Sequence, residues 1–391
     1  MKIVFWIALF IVFYTYIGYG ILLYIIIRLK RLFVGRPHEA VLPADDELPT
    51  MTLMICAYNE EDIVKEKMAN TLALDYPKDK FRIMWVTDGS NDHTNELLAA
   101  YPEVDIVFSP ERRGKTAALK HGLRELKTRY VAFTDANTMI NTGALREIAR
   151  LFSDPTVGCV SGEKRVAARK AGEMASEGEG LYWRYESTLK RWDSELYSAM
   201  GAAGELYAID PQLCREVPDE ALLDDFMLSM YVVQAGKRIA YTSDAYAREY
   251  GSANIYEESK RKRRIAAGGL QSIWWLRSML NPLRQPLVTF QYVSHRVLRW
   301  SITPVAMVLL LIVNIALVAM GAGTFYTVML ILQTLFYLMA LAGWLTNRFG
   351  YKNKLLYTAY YFVFMNFNVF RGMAYLRSHG KSGAWEKAKR S

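Results

Sequence analysis

The sequence predicts an α/β domain with a mixed, mostly parallel sheet, set between segments that cross or lie on a membrane. Three observations predict it. Of 391 residues 52% are hydrophobic, and the excess gathers at the two ends. Between them, from Met51 to about Ser252, strand-like runs alternate with helical stretches, the order of a parallel sheet covered on both faces. Three of those runs end in polar signatures, as strands do when their C-terminal edges line one ligand crevice.

The elements follow in order. Ile3 to Ile27 is an uncharged run of 25 residues. It exceeds the roughly 20 that span a bilayer as a helix. A cleaved signal peptide is the alternative, but the run is long for one. Arg28, Lys30, Arg31 and Arg36 follow, against Lys2 alone before it. The positive-inside bias puts the N-terminus outside and the next domain in the cytoplasm. Residues 1–36 form this helix and its basic flank, and 37–50 a polar linker. Within 51–269, Thr52–Ala57, Arg82–Thr87, Val104–Phe108 and Tyr130–Phe133 read as strands; Glu60–Leu72, Asp92–Ala100 and Thr116–Leu126 read as helices. The second half is less regular. It offers an aromatic-bearing helix at Glu177–Leu196, a small-residue loop from Gly201 to Gly204, and the apolar run Leu206–Ile209. A helix opening at Leu222 and the basic run Lys260–Arg264 complete it.

Residues 270–298 mix Trp274, Trp275, Phe290 and Tyr292 with arginines, as proline-broken interfacial helices do; a core helix pair is the alternative. Within 299–347 the stretch from Trp300 carries no charge, and Gly321-Ala322-Gly323 divides it into a hairpin of two spans. Arg348, Lys352 and Lys354 return the chain to the basic side. In 348–391 the apolar run Leu355–Phe370 is short and carries Asn366 and Asn368. With a basic tail behind it, the expectation is an interfacial or re-entrant helix and a cytoplasmic tail, a fourth full span being the alternative. The expected location is the plasma membrane, multi-pass, with the central domain cytoplasmic.

The net charge of +9 flanks apolar segments. Membrane lipids and an anionic substrate are therefore the expected partners, and no nucleic acid, whose binders interleave basic and aromatic residues over a soluble fold. Cys56, Cys159 and Cys214 are scattered, without CxxC or nearby His, and imply neither zinc nor a disulfide framework.

Chemistry concentrates at Asp135-Ala136-Asn137, just past the Tyr130–Phe133 run. An Asp there can hold a divalent metal against a nucleotide diphosphate; the plainer alternative is a turn and helix cap. The surrounding carboxylates and cations suit transfer of a group from a phosphate leaving group. A metal on Asp135 would offset charge on the departing diphosphate, and Lys115 and Arg264 would add to that stabilisation. A second carboxylate would act as base on an acceptor hydroxyl. Asp225 is the candidate, its proton affinity raised by Asp224 and by the apolar pair before them.

Tyr58-Asn59-Glu60-Glu61, Asp88-Gly89-Ser90, Gly114-Lys115, Asp135-Ala136-Asn137 and Asp224-Asp225 stand in the order and spacing of the inverting family 2 glycosyltransferases. Over nearly its whole length the chain resembles their membrane-integrated branch, which includes cellulose, chitin, hyaluronan and poly-N-acetylglucosamine synthases. The resemblance implies a GT-A (nucleotide-diphospho-sugar transferase) domain plus transmembrane and interfacial helices. It implies that Tyr58 and Glu60 line the base pocket, that Asp88 hydrogen-bonds the uracil or ribose, and that Lys115 lies near base and phosphates. Asp135 and Asn137 stand at the acidic positions of the family's DxD motif, which binds Mg²⁺ or Mn²⁺ with the diphosphate. Asp225 stands at the catalytic-base position. The loop carrying Gly204, Glu205 and Tyr207, with Asp224, would shape the acceptor site, and Arg264 would touch the pyrophosphate.

Two departures stand out. Asn137 replaces an Asp, and an amide oxygen ligates Mg²⁺ without charge. Processive members carry Gln-x-x-Arg-Trp, where this chain has Arg261 and Ile265 at the Gln and Trp positions, leaving long-chain and single transfer both open. A solvated or lipid-facing helix face is the alternative for this basic run. The function expected is transfer of a hexose or N-acetylhexosamine from a UDP-sugar to a saccharide or lipid-linked acceptor, in exopolysaccharide or cell-envelope glycan synthesis. A polyprenyl-phosphate or glycolipid monosaccharide transferase is the alternative. Outside enzymes, the alternative is a non-catalytic nucleotide-binding subunit of an export complex. A second copy of the chain or export subunits are further expected partners.

Overall fold

The structure is a computed structural model and describes residues 1–35, 40–167, 174–250, 255–349, 351 and 353–379. Expectations on Arg36, the first linker residues, Ser252, Lys352 and the basic tail from residue 380 lie outside these, as do the side chains of residues 177–181.

The chain opens with α1 (Lys2–Phe13) and α2 (Tyr19–Val34), joined by a π turn at Tyr14–Gly18 into one long helix. The central domain then runs β1 (Met51–Ala57), α3 (Glu61–Leu72), β2 (Phe81–Asp88), α4 (Thr94–Leu98), β3 (Val104–Ser109), α5 (Lys115–Arg124) and β4 (Tyr130–Asp135). It continues through β5 (Met139–Ile140), α6 (Ala144–Phe152), β6 (Val157–Ala167), α7 (Met174–Leu196), β7 (Leu206–Ile209), α8 (Asp224–Gln234) and β8 (Arg238–Tyr250). The strands form one sheet in the order β3-β2-β1-β4-β7-β6-β8-β5. The first four pair in parallel, β7 is antiparallel to both neighbours, and β6 and β8 are parallel.

Strand periodicity explains the two-sided core. Met54, Val86 and Phe133 face one side, with Tyr207 and Met227; Leu53, Trp85 and Ala132 face the other, against α3 and α6. The second half of the domain is more regular than its sequence suggested. β6 hides from pattern reading because Gly158 and Gly162 interrupt it. A Cβ at Gly158 would come within 2.7 Å of Val232, so the strand is pressed against α8. Its charged residue Lys164 is fully buried, which pattern rules do not expect; its ammonium pairs with Glu205 at 2.5 Å and with Glu249.

After the sheet come α9 (Ile255–Trp275), α10 (Pro286–Tyr292), α11 (Thr303–Ala319), α12 (Thr324–Arg348) and α13 (Lys354–His379). Residue 270 lies inside α9 rather than at the start of a new helix. α10 and α11 form one continuous helix, Pro286–Ala319, through a π segment at Val293–Ile302. The segment ends just before Pro304, whose ring and missing N–H cannot join a regular i→i−4 ladder, and the wider winding absorbs it. Among the described residues three helices are long and apolar enough to cross a membrane: Lys2–Val34, Pro286–Ala319 and Thr324–Arg348. α13 is the more polar, and its asparagines bond to α9 and to the N-terminal helix. Ser259 of α9 donates to Asn368 at 3.0 Å, and Tyr16 donates to Asn366 at 2.5 Å.

The packing of α13 is tight. A Cβ at Gly372 would lie 2.8 Å from Ala266 Cβ of α9, and one at Gly343 of α12 would collide with the carbonyl of Leu356. Gly372→Val should therefore destabilise the protein by about 1–3 kcal/mol through overpacking. A thermal melt of the detergent-solubilised protein checks this; an unchanged melting temperature would mean that α13 can lift off α9 freely.

Candidate active site

The C-terminal ends of β1, β2 and β4 meet at one edge of the sheet, and beside them a cavity of about 490 Å³ opens. Of the residues singled out from the sequence, Lys115, Asp135, Gly204, Glu205, Asp224, Asp225 and Arg264 line it. Lys115 opens α5 after Gly114, whose φ of 97° suits glycine. Its ammonium sits 2.6 Å from Asp135 Oδ1. Burial opposes that charge, but Asp135, Asp224 and Asp225 outweigh it and hold the ammonium above its ordinary range.

Asp224 and Asp225 are the first residues of α8. Burial, then the like charge of Asp224, push the Asp225 carboxyl up to about 6, although Lys115 pulls the other way. Gly204 makes room for it: a Cβ there would lie 3.0 Å from Asp225 Oδ2. Glu205 is held by Lys164 at 2.5 Å and by Arg261 at 3.8 Å, and these cations outweigh its burial to keep it ionised. Ile265 lines the cavity from the same face of α9 as Arg261.

Five residues are not among its lining: Asn137, beside Asp135, and four that lie elsewhere. Asp88 is buried, and its carboxylate accepts from the amides of Arg113 (2.9 Å) and Gly114 (2.6 Å), so it fixes the loop that delivers Lys115. Tyr58 lies at the sheet edge under the Arg112 guanidinium, 4.0 Å from its ring centre. The amide of Glu60 donates to Thr94 at 2.9 Å where α3 begins. Tyr207 lies in the core, its ring stacked on Phe133 at 4.7 Å.

Asp135 and Asn137 flank the buried Ala136 at the end of β4. No group of three or more His, Cys, Asp or Glu is gathered for a metal among the described residues. One carboxylate and one amide oxygen nevertheless fit Mg²⁺ or Mn²⁺, which take one or two protein oxygens and complete their shell with substrate phosphates and water. The buried Oδ2 of Asp224, which lacks a hydrogen-bond partner, adds a further oxygen to the site.

Sequence reading missed the brace behind this turn. Lys67 of α3 is fully buried and donates to the carbonyl of Thr138 at 2.5 Å and to Thr134 Oγ1 at 3.1 Å. Burial lowers its ammonium to about 7, with Asp135 opposing. One turn on, Asn70 gives and takes a bond with the backbone of Ile140, at 2.8 and 3.0 Å. Thr134 also donates to the carbonyl of Glu205 at 2.9 Å, so the Asp135 turn and the Glu205 loop share one network. The signal was a pair of polar residues three apart on a helix that otherwise packs on the sheet. Lys190, Arg296 and Arg299, which also line the cavity, were missed too, because the lysine comes from α7 and the arginines from the π segment a hundred residues on.

The mixed, mostly parallel sheet with helices on both faces and carboxylates at one edge has the GT-A fold. Residues 52–209, under half of the chain, match the family model Glycosyl transferase family 2. Poly-beta-1,6-N-acetyl-D-glucosamine synthase of Staphylococcus aureus strain MSSA476 is 36% identical over 125 residues. That match spans 31% of this chain and 30% of the relative, under a third of its length. Beta-monoglucosyldiacylglycerol synthase of Synechocystis is 25% identical over 259 residues, 62% of this chain and 53% of the relative. A solved mannosyltransferase from Pyrobaculum calidifontis, in complex with GDP-Man and Mn²⁺, superposes with a TM-score of 0.68 at 21% identity. It covers 95% of this chain and 98% of its own, a likeness of fold that includes the helices outside the sheet.

Asn70→Ala would strand two backbone groups of Ile140 and should cost about 1–3 kcal/mol of stability. It should also weaken Mn²⁺ binding to the UDP-loaded protein, read by titration. Wild-type values for both would show that the turn stands without α3.

Proposed function

We propose that the protein is a membrane-bound inverting glycosyltransferase. It moves a hexose or N-acetylhexosamine from a UDP-sugar to a saccharide or lipid-linked acceptor in envelope or exopolysaccharide synthesis. The observation that carries this reading is a single cavity joining the Lys115–Asp135 pair to a carboxyl, Asp225, whose proton affinity is raised toward neutrality. The three long apolar helices anchor it. Arg31 at the basic end of α2 pairs with Glu195 of α7 at 2.6 Å, which supports placing the domain on the positively flanked, cytoplasmic side.

In the reaction, Asp225 accepts the proton of the acceptor hydroxyl as its oxygen bonds to the anomeric carbon. The bond from that carbon to the diphosphate breaks, and UDP leaves with the electron pair. Attack opposite the leaving group inverts the centre. Lys115 and Arg264 stabilise the departing diphosphate. Asp135 and Asn137 would hold a divalent ion, which when bound would supply further neutralisation of that charge. Asp88 fixes the loop before Lys115 beside the uracil or ribose, and Tyr58 and Glu60 form the base-side wall. Two observations favour single transfer to a lipid-linked acceptor: Ile265 offers no aromatic platform, and the cavity continues to Tyr16, Phe362 and Met365 on the helices outside the sheet.

Asp225→Asn should lower sugar transfer by about 10²–10⁴-fold while leaving UDP binding intact; an active variant would remove Asp225 from the role of base. A base works only after losing its proton, so the wild-type rate should rise with pH and level off above about 6. A flat profile through that range would assign the proton transfer elsewhere.

A further inference from the structure

We propose that the inner end of the cavity is a lipid-phosphate subsite, which binds an acceptor carrying a phosphate, an apolar tail and a free hydroxyl. The proposal rests on the transferase reading and specifies its acceptor.

Cations outnumber the carboxylates paired with them at this end of the cavity. Three cations line this end: Lys190 from α7 and Arg296 and Arg299 from the π segment. One carboxylate, Glu186, answers them, with Oε1 2.6 Å from Arg296 Nη1 and Oε2 2.8 Å from Arg299 Nη1. Of the other carboxylates that act on Lys190, Glu205 is paired with Lys164, and Asp225 also faces Lys115. Lys190 is 3% exposed and makes no hydrogen bond or ion pair with the described residues, yet it lines the cavity. An ammonium so buried is costly without an acceptor. Charged residues on or against an apolar helix mark a site where a charged ligand is handled.

The wall that α13 adds to the same cavity is largely apolar, with Asn366 among its residues. Phe362, Met365 and Val369 of α13 line it, with Tyr16 of the N-terminal helix. Cations followed by an apolar slot between membrane helices match a phosphate headgroup followed by its chain, and arginine matches the phosphate's geometry. The phosphate is an anchor here and not the nucleophile. A phosphate oxygen has no proton to lose at neutral pH, whereas Asp225, lining the same cavity, is built to accept one. The attacking group is therefore a hydroxyl on the headgroup, whose proton passes to Asp225 as the glycosidic bond forms and the bond to the diphosphate breaks. A glycerophospholipid and a polyprenyl-diphosphate saccharide both carry this combination.

The test uses the full chain in detergent. It is titrated with dihexanoylphosphatidylglycerol, with farnesyl-diphosphate-linked N-acetylglucosamine, with dihexanoylglycerol and with glycerol phosphate, and separately with UDP. At least one phosphate-bearing lipid should bind about ten-fold or more tightly than both dihexanoylglycerol and glycerol phosphate, and the tighter of the two lipids identifies the source. Lys190→Gln should weaken that lipid about ten-fold and leave UDP unchanged, and Lys190→Arg should restore it. Equal binding of the phosphate-free glyceride, no binding of either phosphate lipid, or an unaffected Lys190→Gln would overturn the proposal. The wild-type ranking alone decides it if Lys190→Gln does not fold. Lipid binding without UDP binding would sink the transferase reading and leave the lipid-phosphate subsite standing.

Discussion

One buried carboxylate ties the two halves of this molecule together. Glu186 of α7 is 1% exposed, takes two arginines from the Pro286–Ala319 helix, and lies 3.3 Å from His295 Nε2. Two turns along the same face, Asp193 accepts from Tyr19 of the N-terminal helix and Gln291 and pairs with His295. Removing such charges from water is expensive, and the arrangement holds only while every partner is present. In return it fixes where two apolar helices meet the central domain. The floor of the cavity is the by-product: the same arginines that anchor the helix line the space beside Asp225.

A similar economy governs the sheet edge. Thr134, Thr138, Lys67 and the Glu205 carbonyl form one hydrogen-bonded knot beneath Asp135. The residues proposed to hold the donor and those proposed to meet the acceptor therefore share a foundation. Asn137 stands out against this background. With one charged oxygen fewer at the turn, the cation Lys115, already 2.6 Å from Asp135, becomes the nearest permanent positive charge at the site.

How much of this was legible in the residues depended on how local the signal was. β1, β2 and β4 were readable because runs such as Thr52–Ala57 are apolar, short and bounded by polar turns. β6 was not, because its glycines serve contacts with α8 and its lysine is neutralised by Glu205 and Glu249, far away in sequence. Lys115, Asp135 and Asp225 were found because each closes a recognisable local pattern. Lys67, Lys190, Arg296 and Arg299 acquire meaning only once helices distant in sequence pack together. The continuity of 286–319 was hidden for the same reason: arginines that look interfacial are internal, and both pair with one glutamate a hundred residues earlier.

The carboxylate of Asp88 has a kinetic consequence. Both of its oxygens are committed to the amides of Arg113 and Gly114, and the amide of Gly89 is bound to Ser109 at 2.9 Å. The segment from 109 to 115 cannot swing outward without orphaning a buried charge. It is therefore a wall and not a lid. A nucleotide entering here would meet a wall already in its working shape, with no closure of this segment to wait for.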